Sequence, residues 1–377
     1  MNGQHRVNRG AHVGVGLVLL AGTLSAVPNV KNVDCRTHSL GEVIAKADPG
    51  DTLQVTGTCR ERVVVTTDRL TIDGQGTAVI DGGGPGGGEL SATILIDGAR
   101  GFTVRGFTIR NGANAILGQS NSAFKVQGTT IQDNAEAGII VAEASEAEIT
   151  DCSITHNGDV GIIAVNQSFA LLRGSIRANN NRVGLWAGGN SSVEVRGGTL
   201  EASSNAENGI NLAGASLTIF GLPSSSGTAI TTNNNGADGI FDAGGLIVFY
   251  GPPANHLITA LNNKGSGIDL QAFATLANLT SARFILKGNA TGLTVTGESS
   301  VTMIGGLDVQ GNGTGLLADG AGSLTLASIP PNPSIIQGNT AVDTDVRFGT
   351  RITVGGAILG KLVCDPTVLS RGTTKCP

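Results

Sequence analysis

Residues 134–140 read Asn134-Ala135-Glu136-Ala137-Gly138-Ile139-Ile140, and the phrase keeps returning. An Asn is followed within a few residues by Gly and an aliphatic residue at Asn157…Gly161-Ile162, Asn180…Gly184-Leu185 and Asn205…Gly209-Ile210. It continues as Asn235…Gly239-Ile240, Asn263…Gly267-Ile268, Asn289…Gly292-Leu293 and Asn312…Gly315-Leu316, with a fainter copy at Asn111. Positions 111, 134, 157 and 180 are each 23 apart, and later intervals stretch to 25, 30 and 28. A repeat in this range means a solenoid, an array or a propeller.

What fills each repeat selects among these. No repeat carries a sustained helical apolar pattern. Each holds short alternating runs, such as Phe102-Thr103-Val104-Arg105 and Val193-Glu194-Val195-Arg196, and alternation of period two is the mark of a strand. One repeat has room for three short strands and their turns, and successive coils then stack at the strand spacing of ~4.8 Å. Asn tolerates left-handed turn angles and can hydrogen-bond to the Asn above and below. Gly relieves crowding where the next strand starts. The pattern predicts an all-β, three-sheet parallel β-helix of about ten coils.

The composition agrees. There are 58 Gly in 377 residues, 40% hydrophobic residues, 3% aromatics and a net charge of −5. Such a chain suits a solenoid whose thin interior is filled by Ile, Leu, Val and Ala. Its mild acidity speaks against nucleic acid as a partner.

Residues 1–26 read as a secretory signal: Arg6 and Arg9 precede an apolar stretch, Val13 to Leu24, that is too short to span a membrane, and Ser25-Ala26 follow. The mature chain is expected to be secreted, extracellular or periplasmic, with no membrane span. Residues 27–60 are expected as an N-terminal cap, 61–342 as the β-helix and 343–377 as a C-terminal cap. The cysteines fit export: Cys35 pairs with Cys59 and Cys364 with Cys376, stapling the two ends, while Cys152 stands alone as a small buried hydrophobe.

Both open ends of a solenoid need covers. Ser39-Leu40-Gly41-Glu42 is a capping-box pattern, predicting a short helix to about Ala47 that plugs the first coil. The run Gly82 to Gly88, with Pro85 at its centre, reads as a flexible excursion between coils.

After that helix, Ala47-Asp48-Pro49-Gly50-Asp51-Thr52-Leu53-Gln54-Val55 and then Arg69-Leu70-Thr71-Ile72-Asp73-Gly74-Gln75-Gly76 resemble the opening of right-handed parallel β-helix proteins of the pectin-lyase-like superfamily. With the Asn repeats, the resemblance covers roughly residues 39 to 340 and implies a right-handed, single-stranded helix. It does not choose an activity, because one fold hosts many.

Aligned repeats sort inside from outside. Ile139, Ile162, Leu185, Ile210 and their successors form an aliphatic column that points inward. Their neighbours Ile140, Ile163 and Trp186 then point outward, an exposed apolar stripe suited to a partner or a covering loop. On another face, Phe102, Phe124, Ala147, Phe169 and Val193 are read as inward. Lys125, Glu148, Asp151, Arg173, Glu194 and Arg196 form a mixed polar stripe, with Asp151 and Arg173 at equivalent positions. Neither Trp186 nor Tyr250 falls on that stripe in this alignment.

Enzymes of the resembling superfamily work on such a face. Glu148 and Asp151 are the candidate acidic groups and Arg173, or else Lys125, the candidate base, with Lys125, Glu194 and Arg196 as substrate contacts. Calcium enters only if the chain is a lyase, and no metal site is read from the sequence. The motifs of the catalytic families are missing: Ile149-Thr150-Asp151-Cys152 lacks the Trp and His of the pectate-lyase stretch. The reading is a secreted protein with a non-catalytic binding or structural role toward a polysaccharide or surface protein. Two alternatives stay open: a carbohydrate-active enzyme, lyase or hydrolase, on an extended acidic polysaccharide, and an assembly subunit docking through Ile140, Ile163 and Trp186.

Overall fold

The computed structural model describes residues 29–84, 86, 91–221, 227–250, 256–280, 282–304, 306–327, 333–373 and 376. The expected signal, and Pro85, Gly87 and Gly88 of the glycine-rich run, lie outside them. Each turn of the chain lays down short strands that pair in parallel with the turns before and after. Three faces result. The first holds strands such as Ala123–Gln127 and Glu146–Thr150, the second Thr130–Gln132 and Ser153–Thr155, the third Ile139–Val141 and Val160–Ala164. Bent strands such as Arg100–Arg110 run through the corner, joining the first two faces into one 23-stranded sheet. The third face is a separate sheet of 13 strands, so the stack is taller than the repeat count suggested. Strands from Val30–Asp34 to Leu369–Gly372 join these sheets, so described residues of both segments expected as caps supply rungs.

The third face is built as the alternation dictates. Ile139, Ile162, Leu185, Ile210, Ile240 and Ile268 are in register and at most 2% exposed, and Leu293 and Leu316 continue the column. Burial of each such side chain stabilises by roughly 1.5–3 kcal/mol. The glycine before each aliphatic is forced by close approach. A Cβ on Gly161 would sit 2.6 Å from the carbonyl oxygen of Gly184, and one on Gly184 2.6 Å from that of Gly209.

Asparagines stack at the corner between the second and third faces. Asn134 Nδ2 donates to Asn157 Oδ1 at 2.9 Å, and Asn157 Nδ2 to Asn181 Oδ1 at 3.1 Å. The column proceeds through Asn205, Asn235, Asn263, Asn289 and Asn312 to Asn339. Each side chain caps a backbone N–H of the preceding rung, as Asn181 Oδ1 does for Asn157 N at 2.9 Å, so a buried corner leaves few donors unpaired. One assignment needs correction: Asn181, not Asn180, is the member in its coil. In the run Asn179-Asn180-Asn181 spacing alone cannot choose. Asn180 takes the left-handed turn angle, φ 56°, while Asn181 is 3% exposed. Asn111 is also outside the column; it donates to Asp81 instead. A second column, Ser122, Ser145, Ser168 and Ser191, closes another corner, the hydroxyls of the last three each accepting the N–H of the preceding serine at 3.0–3.2 Å.

The N-terminal end is covered by the helix Leu40–Ile44, shorter than expected, with Leu40 and Ile44 buried. Ser39 Oγ accepts Glu42 N at 3.2 Å. The carboxylate that finishes the cap comes from the next coil: Glu61 accepts from Ser39 Oγ, Leu40 N and Gly41 N at 2.7–3.0 Å. Cys35–Cys59 and Cys364–Cys376 are both disulfides, and Cys152 is free and buried.

Candidate functional site

On the first face, alternate residues leave the tube. Lys125, Glu148, Leu171 and Glu194 occupy one outward column in register. This overturns the reading of one coil. Ala170 and Leu172 pair with Ala147 and Ile149 and are fully buried, while Phe169 and Leu171 face out. The strand Phe169-Ala170-Leu171-Leu172 is apolar on both faces, so alternation could not fix its phase, and a slip of one residue inverts a strand. Arg173 is consequently in register with Thr150, not Asp151.

Glu148 sits between two cations: Lys125 Nζ is 3.0 Å from Oε2, and Arg173 Nε is 3.2 Å from Oε1 without hydrogen-bond alignment. Glu194 pairs with Arg196 on its own strand. Phe169, Leu171 and Ala123 floor an open depression of about 210 Å³ bordered by Lys125, Glu146 and Glu148. Asp151 is elsewhere. It is exposed on a left-handed turn, φ 52°, accepts Ser175 N at 2.8 Å, and borders a different depression with Cys152 and Arg177. The structure thus brings Lys125, Glu148 and Arg173 together and leaves Asp151 apart from them.

The next outward column carries what the sequence alignment placed off the stripe. Arg196 is in register with Phe220, and Phe220 with Tyr250. The Arg196 guanidinium lies over the Phe220 ring, 5.1 Å from its centroid, and Tyr250 is 53% exposed. A bulge after Leu172 offsets this column from Arg173. The two longest repeat intervals, 30 and 28 residues, are the ones that contain these aromatics. The next described strand after Phe220 begins at Ala229 and that after Tyr250 at Leu257, whereas Ser153 opens a strand soon after Thr150.

The expected apolar stripe on the third face is corrected too. Ile140, Ile163 and Trp186 are in register and outward, but Ile163 is buried and the others half-buried. They pack with Ala137, Val160 and Val183 into a small cluster of their own. Residues two positions before the inward aliphatics cover them, a contact period-two reasoning omits.

Three carboxylates were not among the candidate site residues. Asp242 occupies the inward column between Leu212 and Leu270. Its Oδ1 accepts Gly245 N at 2.8 Å, Oδ2 has no partner, and burial pushes its pKa up to about 7. Asp269, on the outer side of the third face, is pushed up to about 6 by burial and by the charge of Asp238, itself raised by burial. Register against Leu212 and Leu270 is the signal that would have found Asp242. Burial likewise pushes the Cys152 thiol up to about 11, which leaves it unreactive. His156 is exposed on a left-handed turn, and His256 is buried with Nδ1 accepting Thr228 N. Among the described residues no three His, Cys, Asp or Glu side chains gather as a cation site.

A family model described as "Right handed beta helix region" matches residues 92–252. No curated protein matches the sequence. Among solved structures, a bacteriophage CBA120 tailspike protein, solved as its enzymatically active domain, aligns with TM-score 0.52 at 11% identity over 74% of this chain and 47% of its own. This chain therefore spans about half of that tailspike. An alginate lyase of Paenibacillus sp. str. FPU-7 aligns with TM-score 0.42 at 13% identity, covering 69% of this chain and 97% of the lyase. The A-module of the Azotobacter vinelandii mannuronan C-5 epimerase AlgE6 aligns with TM-score 0.43 at 13% identity, over 91% and 100%. At 11% identity the likeness to the tailspike speaks for fold alone, and together with the matching family model it gives a right-handed parallel β-helix.

Proposed function

We propose that this is an extracellular protein that holds an extended polysaccharide along the outer side of the first face without cleaving it. The observation that carries the reading is the outward column Arg196, Phe220 and Tyr250, where a guanidinium, a ring beneath it and a second, exposed ring follow one another at rung spacing. Sugar rings pair an apolar face with equatorial hydroxyls, and an aromatic surface edged by hydrogen-bonding groups answers both. The depression floored by Phe169 and Leu171 lies on the same face and offers a further foothold.

The non-catalytic half of the reading rests on the carboxylates. A hydrolase needs two carboxyl groups placed across the scissile bond, one of them able to carry a proton. Glu148 and Glu194 are each engaged by cations, and Asp151 borders a separate depression. Two disulfides support an oxidising compartment. The test joins two assays over one glycan panel: retardation of the protein in glycan-containing gels, and release of reducing ends or unsaturated products with and without calcium. Retardation without products is expected. Product formation that is lost in Glu148→Ala would replace this reading with an enzyme on the same face.

A further inference from the structure

Five successive rungs of the first face, from Ser216–Phe220 to Ser323–Ala327, carry no charge between charged rungs on either side, and we infer that the polysaccharide it takes is a neutral, hydroxyl-rich chain seated on that uncharged stretch. This rests on the glycan-binding reading above and adds the substrate class.

The four strands beginning at Ala123, Glu146, Phe169 and Ser192 present six charged residues outward on this face. Lys125, Arg173 and Arg196 stand against Glu146, Glu148 and Glu194, so the count is three against three and the face is balanced. A polyuronate would have to break those pairs to find a cation. The next five rungs carry no charge. Ser216–Phe220, Leu246–Tyr250, Thr275–Asn278, Ser300–Ile304 and Ser323–Ala327 contain no Asp, Glu, Lys, Arg or His at all. Charge resumes with Arg351 on the following rung.

What those rungs present is ordered. Phe220 and Tyr250 form the aromatic step, with Leu246 and Tyr250 among the exposed large hydrophobics of the chain. Beyond them come hydroxyls in two columns: Thr275, Ser300 and Ser323 in register, and Thr302 with Thr325 beside them. The columns are about 6.7 Å apart and the rows ~4.8 Å. Thr275 and Ser300 hydroxyls lie 3.3 Å apart, as Ser192 and Ser216 hydroxyls do at 2.8 Å, which holds the rows in line. A flat lattice of donor–acceptor hydroxyls after a pair of rings matches a chain that offers hydroxyls and apolar ring faces and brings no charge to desolvate.

The experiment compares soluble neutral glycans (β-glucan, glucomannan, galactomannan) with polyuronates (polygalacturonate, alginate) by gel retardation of the wild-type protein and of Tyr250→Ala, at about 0.05 M and about 0.5 M salt. The inference predicts retardation by a neutral glycan, unchanged by salt and weakened about tenfold in Tyr250→Ala. Retardation by polyuronates alone, abolished at high salt, overturns the neutral class and leaves glycan binding standing. Absence of retardation by either group removes both.

Discussion

Asn157 Nδ2 donates to Asn181 Oδ1 across 3.1 Å, and the same oxygen accepts the backbone N–H of Asn157 at 2.9 Å. Two donors of one rung thus depend on one side chain of the next. Asn181→Ala should leave the backbone N–H of Asn157 without a partner in a buried corner and its Nδ2 with only the Ile131 carbonyl at 3.5 Å, and cost about 3 kcal/mol. Asn180→Ala changes an exposed turn residue and should cost about 1 kcal/mol, from its left-handed backbone. Urea midpoints of the two variants decide the matter, and equal shifts would contradict the assignment.

That pair also marks how far the sequence could be read. The repeat, the inward aliphatic column and the glycines beneath close carbonyls were all legible, because each is a strict local requirement repeated coil after coil. Choosing Asn181 over Asn180 was not, because the two are the same residue one position apart and differ only in burial and backbone angle, which the sequence does not display. The phase of Phe169 to Leu172 was hidden for a different reason. Four apolar residues in a row satisfy both phases, and the neighbouring rung decides.

The corrected phase has a direct consequence for stability. Phe124 is buried in the tube, and Phe169 is half-exposed outside it. Phe124→Ala should cost about 3–5 kcal/mol. Phe169→Ala should cost less than about 1 kcal/mol, while weakening glycan retention through the depression it floors. Thermal melting of the two variants separates them.

Asp242 makes stability depend on pH. Its folded pKa, about 7, lies above the ordinary carboxylate value of 3.8, so between these pH values the folded chain binds the extra proton. Stability from this group is therefore greatest below about pH 4, falls as pH rises through 4 to 7, and is level above. Asp269, pushed to about 6, adds in the same direction. Carboxylates held low, such as Asp34 at about 2, act only in stronger acid. Asp242→Asn keeps a side-chain oxygen for Gly245 N and removes the charge. It should raise stability at pH 8 by on the order of 4 kcal/mol and flatten the profile between pH 4.5 and 7.5. A wild-type melting temperature that climbs across that interval would contradict the account.

The N-terminal helix depends on Glu61. Its carboxylate accepts two backbone N–H groups and the Ser39 hydroxyl, and a helix of five residues has little stability of its own. Glu61→Ala should cost about 2 kcal/mol. Amide exchange of Leu40 to Ile44 should quicken while that of Ile162 and Leu185 stays unchanged.

The chain contains one tyrosine and one tryptophan, and they report on different faces: Tyr250 on the first, Trp186 on the third. Oxidative footprinting with and without the best-retained glycan therefore reads the binding face directly. Protection of Tyr250 with unchanged oxidation of Trp186 is the predicted result. Tyr250 oxidised at the same rate in both samples would contradict the placement of the polysaccharide on this face.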